Sequence, residues 1–168
     1  MSTRRRTGKA GRLTAGHPVD IASGAVYLSC EDYGISGRLD LVWKRHYNTD
    51  FLRLDSTTLG PGWTSSLFCR LTADLDGYSF RAPSGHYTHF NTDAGLLRTG
   101  TIVRNLGEFH EIRYSDGEYR VVVWRPDTGE KDHFVFAEGS EQLSRIESAS
   151  SEVIDLAYDS SGVLVGAH

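Results

Sequence analysis

The stretch FHEIRYSDGEYRVVVWR, residues 109–125, decides the fold class. Its two halves, Phe109–Tyr114 and Tyr119–Arg125, are rich in the aromatic and β-branched residues that favour strands. Between them stands Asp116-Gly117, a dipeptide typical of the tight turn that joins two antiparallel strands. We therefore predict a β-hairpin here.

The same arrangement of turn signal and β-rich run recurs on both sides of this stretch. The spacing is mostly near the roughly 8 to 12 residues expected of successive hairpins. The other turn signals are Asp76-Gly77, Ser84-Gly85, Thr128-Gly129, Gly139 and Ser161-Gly162. The other runs are Ala25–Cys30, Leu39–Tyr47, Ser66–Thr72, Tyr78–Arg81, Tyr87–Phe90, Asp132–Phe136 and Val153–Tyr158. We predict an all-β protein whose successive antiparallel hairpins form an open, curved sheet, with a helix only around Glu141–Arg145.

Charge divides the chain into a basic start and an acidic body. Arg4, Arg5, Arg6, Lys9 and Arg12 place five positive charges and no acid in the first twelve residues. The remaining 13 basic and 22 acidic residues give the body a net charge of −9 (13 − 22). We expect residues 1–15 to form a flexible basic arm, and the acidic body argues against nucleic-acid binding.

Membrane insertion and cysteine-based sites are not expected. No apolar run approaches the roughly 20 residues of a membrane span, and the basic start is not followed by the apolar core of a signal peptide. Cys30 and Cys69 lie 39 positions apart, too far for a close metal knuckle, so both are interpreted as small core residues. The sequence thus has no readable export signal, and the final location stays open.

Two blocks of sequence resemble a known family. The segment GHPVDIASG at residues 16–24, followed by Asp-Tyr, Arg-His-Tyr and Leu-Gly-Pro-Gly-Trp, resembles the opening of rearrangement-hotspot (Rhs) or YD-repeat shell proteins. Near the other end, IDLAYDSSGVL at residues 154–164 resembles one YD repeat. The residues that carry both motifs, all interpreted as structural, are Gly16, Pro18, Val19, Asp20, Gly24, Asp32, Gly37, Arg45, Tyr47, Gly60, Gly62, Trp63, Tyr158, Asp159 and Gly162.

The resemblance implies an architectural role. Proteins of this family wind β-sheet into a hollow shell that encloses a toxin used in bacterial competition, and members are often exported or found at the cell surface. It divides the chain into an Rhs-type N-terminal β domain at 16–140 and a single degenerate YD-repeat hairpin at 141–168. The expected partners are the remaining shell or the enclosed toxin domain. At 168 residues the chain is too short to enclose a cargo, so we expect a fragment or truncated protein that self-associates through exposed sheet edges.

No catalytic, cofactor-binding or metal site is predicted. Sequence motifs of hydrolases, nucleotide-binding loops and zinc proteases are missing from the chain. His86 and His89 stand three apart, which on one strand places them on opposite faces. The acidic run Asp74–Gly77 lacks the further ligands of a calcium loop and is interpreted as a hairpin turn.

The alternative is a free-standing β-rich module that binds a carbohydrate or a protein. It would need an exposed aromatic platform, for which the candidates are Trp43, Trp124, Tyr119 and Phe134. Core packing is the preferred interpretation of these four residues. Trp63, at the Gly-Pro-Gly-Trp corner, is expected to be a buried anchor.

Overall fold

The computed structural model describes residues 24–52 and 59–168, together with strand backbone at 6–8, 12–15 and 17–20, where side chains are described from residue 19. This part of the chain is almost wholly antiparallel β-sheet, and none of its sheets closes on itself. The all-β class and the successive antiparallel hairpins predicted from the sequence are therefore confirmed.

Three small sheets come first along the chain, each with three strands in chain order. The first sheet contains β1 (Arg6–Gly8), β2 (Arg12–Ala15) and β3 (His17–Asp20). The second contains β4 (Tyr27–Ile35), β5 (Leu41–Asn48) and β6 (Trp63–Ser65), with a 3₁₀ turn at Thr49–Phe51 after β5. The third contains β7 (Arg70–Asp74), β8 (Gly77–Arg81) and β9 (Tyr87–Asn91). The segment expected to be a flexible arm thus contributes two short strands, β1 and β2, whose backbones pair with each other and with β3.

The remaining seven strands form one larger sheet, again in chain order. They are β10 (Val103–Asn105), β11 (His110–Ser115), β12 (Glu118–Trp124), β13 (Lys131–Ala137), β14 (Arg145–Glu147), β15 (Val153–Tyr158) and β16 (Leu164–Ala167). β13 pairs with β14 across the expected boundary at residue 140. The YD-like hairpin is therefore continuous with the sheet that precedes it.

The hairpin between β11 and β12 shows how local sequence sets the register. Asp116 and Gly117 both have positive φ, 53° and 80°, as a two-residue type I′ turn requires. Asp tolerates this conformation and Gly adopts it freely, so the loop closes without an extra residue. Ser115 then opposes Glu118.

The core lies between the third sheet and one face of the larger sheet. Phe80 on β8 is fully buried, and its ring lies 5.6 Å from that of Phe134 and 6.1 Å from that of Phe136, both on β13. Ile154 and Leu156 on β15 join the same cluster. Phe134-x-Phe136 and Ile154-x-Leu156 repeat one alternating apolar pattern at a spacing of twenty residues, and both pairs belong to the same core.

Local assignments differ from the sequence prediction in three places. The helix predicted around Glu141–Arg145 is wrong, since Arg145 begins β14 and the short helix α1 lies instead at Ala94–Arg98. The first β-rich run, expected to end at Cys30, continues as β4 to Ile35. No helix in the described ranges is long and apolar enough to cross a membrane.

The two cysteines have different environments. Cys69 is 2% exposed and belongs to the core, as predicted. Cys30 is exposed on β4, so its prediction as a core residue is wrong. Burial raises the pKa of the Cys69 thiol well above its usual value, which keeps that thiol protonated.

Candidate functional site

Four residues of the family-like motif meet on the second sheet. Arg45 on β5 donates two hydrogen bonds to the Asp32 carboxylate on β4, at 2.6 and 2.8 Å. Its guanidinium also lies 5.2 Å from the ring centre of Trp63 on β6. The Trp63 ring contacts that of Tyr47, with 5.2 Å between centroids. We call Asp32, Arg45, Tyr47 and Trp63 the clamp cluster, because their side chains tie three neighbouring strands together.

The electrostatics of the clamp cluster are those of an ion pair. The hydrogen bond from Arg45 holds the pKa of the Asp32 carboxyl below its ordinary value. The same bond raises the pKa of Arg45. Both groups therefore stay charged through the neutral range. Because both are solvent-accessible, the pair orients the strands more than it stabilises the fold.

The glycine corner before Trp63 requires residues without a side chain. Gly60 and Gly62 have φ values of 96° and 78°. A Cβ on Gly62 would lie 2.8 Å from Tyr47 Cε2 and 3.1 Å from the backbone oxygen of Asn48. This close approach lets the Asn48 N–H donate to the Gly62 carbonyl at 2.9 Å. The Gly-Pro-Gly-Trp corner therefore positions Trp63 so that it packs against Tyr47 on β5.

Replacing Trp63 with alanine should lower the free energy of unfolding by about 2 kcal/mol, as measured by urea denaturation. The expected loss is smaller than the roughly 3–5 kcal/mol of a fully buried aromatic, because the Trp63 ring is only partly buried. Trp124, which is 42% exposed, is the matched control, and its alanine variant should change stability by less than about 1 kcal/mol. Loss of less than roughly 0.5 kcal/mol at Trp63 would contradict the anchoring role.

The YD-like block forms a locked turn between β15 and β16. Asp159 Oδ1 accepts hydrogen bonds from the backbone N–H groups of Ser161 and Val163, at 2.9 and 3.0 Å. The Ser161 hydroxyl also donates to Asp159 Oδ1. This bond, followed by the backbone bonds, holds the pKa of the Asp159 carboxyl below its usual value. Gly162 has a φ of 79°. The Tyr158 hydroxyl donates to the Leu143 carbonyl at 2.8 Å, which ties this turn to the chain before β14.

The remaining motif residues lie apart from the clamp cluster. Gly16 is outside the described residues, and Pro18 is described only as backbone in β3. Val19 pairs with Val26 in an isolated bridge. Asp20 is 7% exposed, and its carbonyl accepts from the N–H of Gly24, whose φ is 74°. Gly37 donates its N–H to Asp40 Oδ1 at 3.1 Å, in the loop between β4 and β5.

The histidines contact separate carboxylates. His86 Nε2 lies 3.3 Å from Glu108, whereas His89 lies 3.7 Å from Asp74 and 3.5 Å from Asp76. The side chains of the His89 group are all partly or largely exposed. In the described part of the chain, no group of three or more His, Cys, Asp or Glu residues is placed to hold a metal ion. Asp74 ends β7 and Gly77 begins β8, so this acidic run is the hairpin turn that was predicted.

The four aromatic candidates do not form one exposed platform. Tyr119 and Phe134 are 7% and 4% exposed and belong to the core. Trp43 is half-buried and packs on that core, with its ring edge against Phe68. Trp124 is 42% exposed, and the Lys131 ammonium lies 4.2 Å from its ring centre. Core packing, the preferred interpretation, thus holds for Tyr119 and Phe134.

Each of the four described sheets has two edge strands, and β4 and β16 are two of these eight. β4 pairs with β5 on one side only, and β16 pairs with β15 on one side only. β4 is an edge that resists pairing, because it carries a bulge at Glu31 to Tyr33 and two exposed acids there. The β15–β16 ladder also has a register shift, between Ala157 and Tyr158, but pairing is regular after it, and Asp155 and His168 exchange two backbone hydrogen bonds just beyond β16.

The β16 edge presents specific backbone groups. Hydrogen-bonded and non-hydrogen-bonded pairs alternate along an antiparallel ladder, and the Asp155–His168 pair is hydrogen-bonded. The next pair, Leu156 with Ala167, therefore directs the Ala167 N–H and carbonyl away from β15. Gly166, one position earlier, directs its own groups inward. Sequence reasoning gave an open edge here but could not identify which residues bond outward.

A buried arginine that the sequence gave no reason to single out lies between the second and third sheets. Arg81, at the end of β8, is 7% exposed and donates from Nη2 to the Phe68 carbonyl at 3.1 Å. Arg81 lies on the face of β8 opposite Phe80, and its burial depends on residues distant in sequence that cover this face. Thr64 on β6 lines the same small cavity and is 2% exposed.

Comparison with known proteins finds a similarity to one family model. Residues 16–90 match a family model described as a domain of unknown function, DUF6531. The matched range includes the whole clamp cluster and both glycines of its corner. No curated protein matches the chain.

Proposed function

We propose that this chain is a non-catalytic structural segment at the start of a toxin-enclosing β-shell of the Rhs/YD-repeat kind. The proposed role is structural: the chain supplies the first hairpins of the shell's β-sheet wall and an edge strand with which further hairpins pair. The proposed partners are the rest of the shell and the enclosed toxin domain. Bacterial competition is the proposed setting.

The open edge of β16 is the observation that carries the proposal. The seven strands of the larger sheet follow one another in chain order, and each pairs with the strand before it. In such an array, every added hairpin covers the edge of its predecessor and provides a new one. The Ala167 N–H and carbonyl are in position to bond to a following strand.

The contacts made by the motif residues support a structural role. The clamp cluster and the Asp159 turn consist of an ion pair, ring contacts and local hydrogen bonds between neighbouring strands. Each of these contacts fixes backbone geometry. None of them places a nucleophile beside a base, which is the arrangement that acyl-transfer chemistry needs.

The proposal is tested by the solution mass of the purified chain, measured by light scattering over a hundredfold range of concentration. We expect concentration-dependent association through β16. Replacing Ala167 with proline removes the outward N–H without a clash in the ladder, so it should weaken association at least about tenfold while stability changes little. Replacing Val165, which is 64% exposed on the same strand, with threonine is the control and should leave association unchanged.

Amide exchange provides a second readout of the same edge. In dilute chain the Ala167 amide should exchange faster than the Gly166 amide, and the difference should shrink as the chain associates. A chain that stays monomeric at every concentration, with a protected Ala167 amide, would contradict the proposal.

A free-standing binding module is the second candidate, favoured by the exposure of Trp124 beside Lys131. An exposed indole next to a cation is suited to stacking on a sugar or to contacting a protein. Binding on a glycan array that is lost in Trp124→Ala but kept in Trp63→Ala would favour this candidate. Such a result together with a stable monomer would replace the shell proposal.

A further inference from the structure

The small cavity between β6 and the end of β8 contains two polar groups without partners. Arg81 Nε and Thr64 Oγ1 are both buried, and neither has a hydrogen-bond partner among the described residues. Both residues line the cavity, whose volume is about 10 Å³. A volume of this size holds roughly one oxygen atom.

Of the two unpartnered groups, Arg81 is the stronger indication of a bound ligand, because it carries a charge. Arg81 is 7% exposed, yet no described carboxylate lies within ion-pair distance of it, and its one recorded bond goes to a neutral carbonyl. Two other partly buried arginines, Arg120 and Arg145, both pair with Glu147. A buried guanidinium is normally compensated by an anion, since removing it from water carries a large desolvation cost.

Aromatic rings and a glycine line the cavity and keep its volume small. Aromatic rings of Phe51, Trp63 and Tyr87 line it together with Gly85. A Cβ on Gly85 would lie 2.5 Å from Phe51 Cε2 and 3.0 Å from Thr64 Cγ2, so only glycine permits this packing. Tyr87 is 41% exposed, so the aromatic wall reaches the molecular surface there.

We propose that this cavity is a binding site for a single carboxylate group, held by hydrogen bonds from Arg81 Nε–H and Thr64 Oγ1–H. A carboxylate supplies both the missing charge and an acceptor for two donors. One of its oxygens fits the cavity, and the rest of the group lies at the mouth beside Tyr87. The ligand is a small free carboxylate or the side chain of an aspartate or glutamate from another segment. The inference stands independently of the shell role.

Formate is the probe for the free anion. Thermal unfolding of the whole chain is followed in sodium formate against sodium chloride at equal ionic strength. At formate concentrations about ten times its dissociation constant, the midpoint should rise by roughly 4 °C over chloride. Arg81→Met and Thr64→Val should each abolish or reduce this rise. Arg125→Met, which removes an exposed arginine that is paired with Glu130 and Asp132, should preserve it.

A blocked aspartate, N-acetyl-aspartate N-methylamide, distinguishes the source of the carboxylate. If it raises the midpoint as formate does, the site accepts a side chain of a polypeptide. A rise with formate alone identifies a site for a small free anion. The NMR chemical shift of Arg81 ¹⁵Nε should change when either of these ligands binds. This measurement detects binding in the wild-type chain, so it does not depend on whether the Arg81 variant folds. No shift of this resonance with either carboxylate, or equal midpoint rises in wild type and Thr64→Val, overturns the proposal.

Discussion

Replacing Phe80 with alanine should lower the free energy of unfolding by about 3–5 kcal/mol, the largest effect we expect of a single substitution. Phe80 is fully buried, and its ring contacts Phe134, Phe136 and His110 across the two sheets. Removing the ring leaves a cavity between β8 and β13 that neither sheet can close, because each is held by its own ladder.

Phe109 is the matched control for Phe80. It is 53% exposed in the loop before β11, so Phe109→Ala should cost less than about 1 kcal/mol. Both values come from urea denaturation monitored by tryptophan fluorescence and circular dichroism, whose transitions should coincide. Similar losses for the two variants, or separate transitions for the two probes, would contradict a single core shared by the third sheet and the larger sheet.

Strands and tight turns could be predicted because their signals are local. Asp116-Gly117 determines the β11–β12 turn through its own backbone preferences, so the sequence around this dipeptide is enough to place the hairpin. The Asp159 turn is similar, since its carboxylate bonds only to groups within four residues. These features depend on nothing distant in the chain.

Features that depend on distant contacts could not be predicted. Glu141–Arg145 has ordinary helix-forming residues, but the Glu141 carbonyl accepts from the Leu71 N–H at 3.0 Å, which holds the segment extended. The helix at Ala94–Arg98 is too short to show periodicity, although Asp93 caps it by accepting from the Leu96 N–H at 2.7 Å. At Glu141–Arg145 tertiary context overrides a weak propensity, whereas the Asp93 cap of α1 is a local signal that the sequence interpretation missed.

The candidate sites divide in the same way. The clamp cluster could be anticipated as residues of one motif, but the contacts of Arg45 with Asp32 and Trp63 follow from the pairing of β4, β5 and β6. The buried Arg81 gave no signal, because strand alternation says which face a residue takes and nothing about what covers that face. Sequence pattern thus identifies residues, and sheet pairing determines what they contact.

The stability of the chain should fall as the pH is lowered from 6.5 towards 4, and His110 should account for much of this change. Burial lowers the pKa of His110 from 6.5 to about 4, with smaller and opposing effects of Glu108 and His86. His110 is 9% exposed, its Nδ1 lies 2.7 Å from the Thr88 hydroxyl, and its ring meets the edge of Phe80. The folded chain therefore keeps His110 neutral where the unfolded chain protonates it.

The sign and size of the effect follow from this difference in proton binding. Between pH 6.5 and 4 the unfolded state binds the extra proton, so stability is fully present above pH 6.5 and is lost as the pH falls. The lowering of the His110 pKa from 6.5 to about 4 corresponds to a loss of about 3 kcal/mol in the free energy of unfolding by the time the pH has fallen to 4. Urea denaturation at pH 7.5, 6.5, 5.5 and 4.5 measures how the free energy of unfolding changes with pH. His110→Gln keeps a neutral polar side chain at every pH, so its stability should vary much less over this range. An equally steep fall in the variant would assign the acid sensitivity to the carboxylates, and an NMR titration that gave His110 a pKa near 6.5 would contradict its burial as a neutral group.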